Sequence, residues 1–579
     1  MCGISGITTN DRGLIERMNR TMVHRGPDAE GYYVDEEIGL GHRRLSIIDL
    51  SEGGAQPRVQ DHLVLTFNGE LYNYLEIREE LRGLGHRFDT ESDTEVLLTA
   101  YKVWGADAFK KFIGMWALVI YDTKTHQMVM CRDRIGQKPL YYTQGSFGLA
   151  FASEIKALLQ IPGIGKERAE ALAEYLAFGF NPEPKTAYED IFALEPGTYR
   201  EWNRDQGLGP VRKYWSPGWD VQRPSEREAL EELNELLQDS VKLRLRADVP
   251  LGVFLSGGLD SMGMTTLFKS PWTGLHVALN EDEHALVEKV MAEKEADLVV
   301  ATPEEFDYRG DFDHVMKHFD TPFGDNSSIP TYWICREARK KGFIVMLGGD
   351  GGDELFYGYK RYKQLDLYSK GGGTVLMRGA HALSRRLLPG HDVDKALRFL
   401  AKPTFEDFYI KLRGGFTQDE WPNLLSKEYR KSINGYNPAE EVRKNWPTQD
   451  WPTVKQAQAF DWSQNFLSDI LVKSDRMSMA NSIELRSPFL DHRLFEWSAK
   501  LHPDVLYGGE LKRLYKEWLL PRLPKEVLNQ PKRGFGMNVN DLLHPVTDHR
   551  IHPNAAEWLK EQKKIFFLNS FNATTRHSS

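Results

Sequence analysis

Two places in the chain hold residue types that can do chemistry. The first is the amino terminus, Met1-Cys-Gly-Ile-Ser-Gly6. Removal of Met1 would leave Cys2 with a thiol and a free α-amine, whose pKa of about 8 suits it as the base that activates the nucleophile. A small residue merely tolerated at position 2 is the other reading of Cys2 taken alone. The second place is Ser256-Gly-Gly-Leu-Asp-Ser261, which follows the apolar run Val249–Leu255 and opens a helix. Backbone N–H groups of such a turn converge on one point, and the helix N-terminus adds partial positive charge, so the turn can cradle phosphate. No Gly-Lys-Ser/Thr follows, so this is not a Walker loop. A second turn of this kind, Leu347-Gly-Gly-Asp-Gly-Gly-Asp-Glu354, also follows an apolar run. Asp260 and Asp353, from separate strand ends, can share a Mg²⁺ that bridges leaving phosphates, because hard cations take oxygen ligands. Plain turn residues are the alternative for Asp350, Asp353 and Glu354.

Around Cys2 the first hundred residues hold, in order, His24-Arg-Gly-Pro-Asp28, Gly41-His-Arg-Arg-Leu-Ser46, Phe67-Asn-Gly-Glu70 and Ser92-Asp-Thr-Glu95. This ordered set resembles the class II glutamine amidotransferases, a branch of the N-terminal nucleophile hydrolases. The resemblance implies that Cys2 attacks the side-chain amide of glutamine and releases ammonia, with Asn68 and the backbone N–H of Gly69 as oxyanion hole. It also implies that Arg44 holds the glutamine α-carboxylate through its planar fork. Glu70 and Asp93 would take the α-ammonium, with Asn68 lining the same pocket.

The second half resembles the ATP pyrophosphatases, which split ATP between the α and β phosphates and activate an acceptor as its adenylate. Leu471-Val-Lys-Ser-Asp-Arg-Met-Ser-Met-Ala480, Glu484-Leu-Arg-Ser-Pro-Phe-Leu-Asp-His492 and Gln530-Pro-Lys-Arg-Gly-Phe-Gly536 are similar to stretches of glutamine-dependent asparagine synthetases. On that resemblance ATP is held by Leu255, Ser256, Gly257, Gly258, Asp260, Ser261, Gly349 and Asp350, with Mg²⁺ on Asp260 and Asp353. Lys532 would stabilise charge as ammonia or another amine attacks the adenylate; a generic charged loop is its other reading. Arg486 and Asp491 read as structural partners, and Cys131 as a buried thiol. The implied reaction is ATP-dependent amidation of a carboxylate, aspartate to asparagine first, releasing AMP, pyrophosphate and glutamate. A uronic-acid sugar as acceptor and a degenerate, non-catalytic scaffold are the alternatives. Two departures stand out: the segment from Ser270 to Pro303 is compressed, leaving adenine contacts unassigned, and Gly348 stands where many relatives have serine.

These motifs need elements to hold them. Leu63–Phe67, Met115–Tyr121, Gln127–Cys131 and Leu149–Ala152 are short β-branched or aromatic runs, interrupted by helical patterns around Asn73–Leu84 and Thr94–Tyr101. Sequential strands favour antiparallel pairing, so the first part reads as an α+β layered αββα domain. A Gly, Pro and Trp-rich stretch from Trp202 to Arg223 reads as linker. A helix then opens with the capping box Ser225-Glu-Arg-Glu228. Strand candidates Val249–Leu255, Leu275–Leu279, Asp297–Ala301 and Phe343–Leu347 alternate with helices, which argues a parallel α/β sheet followed by a helical C-terminal part. The expected division is 1–207 for the amidotransferase domain and 208–579 for the amidation domain.

Composition sets the outer bounds. The 579 residues carry 74 basic and 83 acidic side chains, a net charge of −9, which argues against a nucleic-acid mantle. The acidic excess lies in the first 200 residues; the nearly neutral remainder suits a region that accepts a polyanion. Three cysteines are too few for a disulfide framework, and with no apolar run of membrane-spanning length or signal sequence a cytoplasmic setting is expected. The expected partners are glutamine, ATP and a carboxylate acceptor, with no nucleic acid, no membrane insertion and room for a homodimer.

Overall fold

The computed structural model describes residues 1–269, 271–278, 281–302, 307–370, 383, 404–530 and 550. Its first part is two antiparallel sheets packed face to face. The first sheet runs, edge to edge, through Phe192–Ala193, Tyr141–Gly145, Gly148–Ala152, Gly3–Ile7, Gly39–Arg44 and Ala29–Val34. The second runs through Gly207–Leu208, Thr198–Asn203, Gln127–Arg132, Gly114–Asp122, Leu63–Leu71 and Arg58–Gln60. Ile4, Leu40 and Phe151 from one sheet meet Val64, Val119 and Met130 from the other in a shared core. Helix Arg12–Arg20 covers the outer face of the first sheet, and helices Tyr74–Gly83 and Asp93–Trp104 cover the second. The result is the expected αββα layering.

The stretch expected to be linker is in its first half part of the second sheet. Trp202 pairs with Leu208, and Thr198 and Tyr199 pair with Lys213 and Arg212. The turn residues of this Gly-rich stretch serve a hairpin rather than a connector. From Tyr214 the chain crosses to helix Glu226–Arg244, whose Ser225 and Glu228 form both halves of the capping box.

The second part is built on five parallel strands in the order Ala296–Ala301, Trp272–Val277, Leu251–Leu255, Val345–Leu347 and Glu484–Arg486. The chain winds outward from Leu251–Leu255 on one side, then returns to add Val345–Leu347 on the other. Between those two strands the winding reverses, and such a switch point leaves a crevice beyond the strand ends. Both glycine-rich turns open there. The last strand, Glu484–Arg486, lies within the part that the sequence presents as helical. Apart from that strand, the regular structure of the described chain beyond Tyr362 is mainly helical, including an 11-residue π-helical stretch, Asp461–Leu471, that runs directly into helix Val472–Met479. No helix among the described residues is long and apolar enough to cross a membrane.

Candidate functional site: two centres and the contact between them

The register of the first sheet puts Gly3 opposite Arg43, so Cys2 enters the fold level with Arg44. The Cys2 backbone N–H donates to Asn68 Oδ1 at 3.0 Å, and the thiol lies 4.0 Å from the Leu45 carbonyl. Asn68, Gly69 and Glu70 are consecutive on Leu63–Leu71, the strand that faces Cys2 from the other sheet. Asn68 Nδ2 is buried with no hydrogen-bond partner among the described residues. A buried N–H without an acceptor is costly, so this donor is poised for one supplied by a ligand. Gly69 is required by close approach: a Cβ there would stand 2.1 Å from the Met115 carbonyl oxygen.

Arg44 closes the same corner. Its two terminal nitrogens donate to the carbonyls of Ser51 and Asp49, which fixes the guanidinium against the 49–51 loop. Asp93 opens helix Asp93–Trp104 and accepts from the Leu71 N–H at 3.0 Å. Burial pushes its carboxyl up to about 6. Glu70 is raised well above the carboxylate range by burial and by the neighbouring Glu484 and Asp93. Arg486 from the fifth parallel strand stands 3.7 Å from Glu70, so the second domain forms the back wall of this pocket.

Met1 is wholly buried in that wall. Its side chain packs among Leu45, Ile47, Tyr72, Leu243, Val345 and Met479, and its ammonium lies 3.5 Å from Glu484. With Met1 in place, burial raises the Cys2 thiol and lowers the terminal ammonium. Cys131 and Cys335 are also buried and free, and burial pushes both thiols up.

The second centre lies at the switch point. Leu255 ends its strand, and Ser256, Gly257 and Gly258 lead into helix Leu259–Met264. Ser261 Oγ donates to the Ser256 carbonyl at 2.8 Å, and the Gly257 N–H donates to Glu283 at 2.8 Å. Asp260 packs against the second turn: a Cβ at Gly349 would sit 3.0 Å from Asp260 Cβ, and one at Gly352 would sit 2.6 Å from its carboxylate. Asp350 accepts from Ser474 at 2.5 Å, and its carbonyl accepts from Ser487 at 2.6 Å.

Asp260 and Asp353 converge on one cation, and it is a residue the sequence reading passed over. Lys512 Nζ lies 2.5 Å from Asp260 Oδ2 and 2.7 Å from Asp353 Oδ1. Burial opposes its charge, but the two carboxylates outweigh that and hold the ammonium above its ordinary range. Lys512 sits at φ +57° immediately before helix Arg513–Leu519, after the Gly508-Gly509 pair. The Gly508-Gly509 pair before it marks a turn, but nothing in the sequence ties that turn to Asp260. Lys532, the sequence candidate for this charge, lies outside the described residues.

Two carboxylates that already share a cation suit Mg²⁺, which is typically held by one or two carboxylates with water and phosphate oxygens completing its shell. Among the described residues no group of three or more His, Cys, Asp or Glu is arranged to hold a metal unaided. Arg486 and Asp491 have the structural partners expected of them. Arg486 pairs with Glu484 at 2.6 Å, and Asp491 caps helix His492–Lys500 while pairing with Arg244 and Arg493.

Between the centres lies a small cleft of about 20 Å³, room for one water-sized molecule. It is lined by Gln137 and Lys138 from the first domain and by Asp350, Leu471, Ser474 and Leu490 from the second, among others.

Comparison with known proteins matches two family models to the chain. A family model described as a glutamine amidotransferase domain matches residues 1–215, and one described as asparagine synthase matches residues 232–574. The chain is 34% identical to "Asparagine synthetase [glutamine-hydrolyzing] 1" of Bacillus subtilis, over 94% of this chain and 88% of that protein. It is 36% identical to "Putative asparagine synthetase [glutamine-hydrolyzing] 2" of Methanocaldococcus jannaschii, over 84% of this chain and 100% of that protein. A more distant relative, "Amidase chry2" of Gibberella zeae, is 26% identical over 92% of this chain and 88% of its own length. The chain therefore belongs to the glutamine-hydrolysing asparagine synthetase family: glutamine-dependent carbon–nitrogen ligases that join a glutamine amidotransferase domain to an asparagine synthase domain.

Proposed function

We propose that this chain moves the amide nitrogen of glutamine onto a carboxylate activated as its adenylate, with aspartate as acceptor and asparagine as product. The observation that carries the glutaminase half is the unpartnered Asn68 Nδ2 beside Cys2. Once Met1 is removed, the Cys2 α-amine takes the thiol proton and the thiolate attacks the glutamine amide carbon. Asn68 Nδ2 and the Gly69 N–H receive the developing oxyanion, and the amine returns its proton to the leaving ammonia. Arg44 holds the α-carboxylate, and Glu70 and Asp93 hold the α-ammonium.

In the other half, the turns at 256–261 and 349–353 receive the phosphates of ATP. The acceptor carboxylate attacks the α-phosphorus and pyrophosphate leaves. Mg²⁺ held by Asp260 and Asp353 would neutralise charge on that leaving group. Lys512, freed from one carboxylate as the phosphates arrive, faces the same oxygens. Ammonia then displaces AMP from the acyl carbon. The cleft at Lys138 and Ser474 supports direct passage, since ammonia released to neutral water is protonated and loses its nucleophilic lone pair.

A charged pair supports an amino-acid acceptor over a sugar acid. Lys473 Nζ lies 3.1 Å from Asp325 and 2.9 Å from Ser327, one residue from the Ser474 contact with Asp350. Opposite charges side by side suit a zwitterion. Three buried free thiols suit a reducing cytoplasm.

Cys2→Ala tests the assignment. Glutamine-dependent synthesis should fall more than about a thousandfold while synthesis from added ammonium persists. Continued use of glutamine by that variant would remove Cys2 from the reaction. AMP release screened over aspartate and uronic acids decides the acceptor; activity with uronic acids alone would overturn aspartate.

A further inference from the structure

Arg25, in His24-Arg-Gly-Pro-Asp28, has no part in the mechanism above, yet it is completely buried at the junction of the two domains. Its Nε donates to the Cys2 carbonyl at 3.0 Å. Its two terminal nitrogens grip Asp475 in a bidentate fork at 2.8 and 2.9 Å, and one also reaches Glu154 at 2.9 Å. Asp475 belongs to helix Val472–Met479, and the two residues before it serve the other centre. Ser474 donates to Asp350, and Lys473 pairs with Asp325. Arg476, next along, pairs with Glu154 at 2.9 Å and with Asp320 at 3.6 Å. One turn of helix thus bonds the nucleotide turn of one domain and, through a single guanidinium, the main chain of the nucleophile in the other.

We propose that Arg25 and Asp475 are positioning residues that set Cys2 according to the state of the synthetase centre. The inference rests on the function proposed above. Ligands that engage Asp350 and Asp325 change what Ser474 and Lys473 bond, and the helix carries that change to Asp475. A bidentate, fully desolvated fork transmits displacement because it has one good geometry, whereas a single exposed contact would absorb it. Such coupling is reciprocal at equilibrium: whatever ATP and acceptor do for glutamine, glutamine does for ATP.

Two measurements test the pair. The first is glutamine hydrolysis by the full chain with and without ATP plus aspartate. We expect stimulation within the usual range for coupled sites, about 5- to 150-fold. In Asp475→Asn that ratio should fall to about one, with the KM for glutamine and ammonium-dependent AMP formation changed less than about threefold. Asp475→Glu, which keeps the charge, should recover part of the stimulation, and Arg25→Lys, which loses the fork, should not. A merely structural ion pair would lower all activities together and leave the ratio intact.

The second measurement is ATP affinity in a Cys2→Ala background, with and without glutamine. Glutamine should tighten ATP by the same factor, and the addition of Asp475→Asn should erase it. An unstimulated parent chain, or an Asp475→Asn ratio equal to that of the parent, overturns the proposal. Absence of AMP formation from ammonium, aspartate and ATP strikes the proposed function instead, so the two failures are distinguishable.

Discussion

In the glutaminase centre the candidate residues stand at or beside paired strands or open a long helix, whereas the synthetase centre is assembled from turns and the short helices beside them. Cys2, Arg44, Asn68, Gly69 and Glu70 stand at or beside strand positions fixed by sheet register, and Asp93 opens a helix. Asp260 and Asp353 stand in the first turns of short helices, Asp350 lies in the turn after a strand and Lys512 just before a helix, and the charges of Asp260, Asp353 and Lys512 hold one another. A strand-borne centre is set by the pairing of the whole sheet. A loop-borne centre depends on its own ion pairs, which substrate must rearrange. The framework of the first is paired before glutamine arrives; the second is expected to change partners when ATP does.

The sharpest break in that comparison is Lys512→Ala. It removes the cation between two carboxylates and leaves them facing each other, so AMP formation should fall at least about a hundredfold with either nitrogen source. Asp260→Asn should do the same. Glutamine hydrolysis measured without ATP should stay within about threefold in both, because sheet register holds that centre. A parallel collapse of basal glutaminase activity would mean that the two centres share their stability, and denaturant melts would show it.

A smaller effect is expected from Asp491→Asn. Asp491 is buried against Arg244 and Arg493 and caps helix His492–Lys500. Burial opposes its charge, yet bonds from Arg493 and the charge of Arg244 hold the carboxyl well below the usual range. A depressed carboxyl contributes stability above the unfolded pKa of about 4 and loses it as pH falls below that. The variant should therefore lose about 3–5 kcal/mol at neutral pH and show a weaker acid dependence between pH 4 and 2. Chemical denaturation across that window checks both.

The mildest test concerns Asp93. Its carboxyl, raised to about 6 by burial, is anionic above that pH and neutral below it. Only the anion attracts an α-ammonium, so the KM for glutamine should climb as pH falls through 6, approaching about tenfold by pH 5. Asp93→Asn should start with a KM raised about tenfold at neutral pH and lose that pH response. A pH profile identical to that of the parent would hand the role to Glu70 alone.

The same contrast explains what could be read from the sequence. Short β-branched and aromatic runs disclosed four strands of the first domain but not Gly3–Ile7 or Gly39–Arg44, and the pieces of its pocket fall within a hundred residues in a fixed order. The phosphate turns were legible because glycines crowd where strands end. Lys512 was not, because it meets Asp260 only through tertiary folding, 252 positions away along the chain. Strand Glu484–Arg486 has three residues, too few for an alternation to show. The turn at Asp205–Pro210 looked like a connector because a hairpin and a linker draw on the same residues, and only the partner strand distinguishes them. Arg25 and Asp475 lie in motifs that carry the resemblance, but the sequence assigns neither a partner until the domains meet.

Met1 gives the wall between the domains a further meaning. Its side chain fills an apolar seat to which both domains contribute, between the nucleophile and the parallel sheet, with its ammonium facing Glu484. An initiator methionine left in place is then a stopper as well as a cap on the Cys2 amine. Trimming it empties that seat and frees the Cys2 amine in the same event. A chain made with an N-terminal extension should behave as a synthetase fed only by free ammonium, and proteolytic release of Cys2 should switch it to glutamine. The choice of nitrogen source would thereby be written into maturation of the first residue.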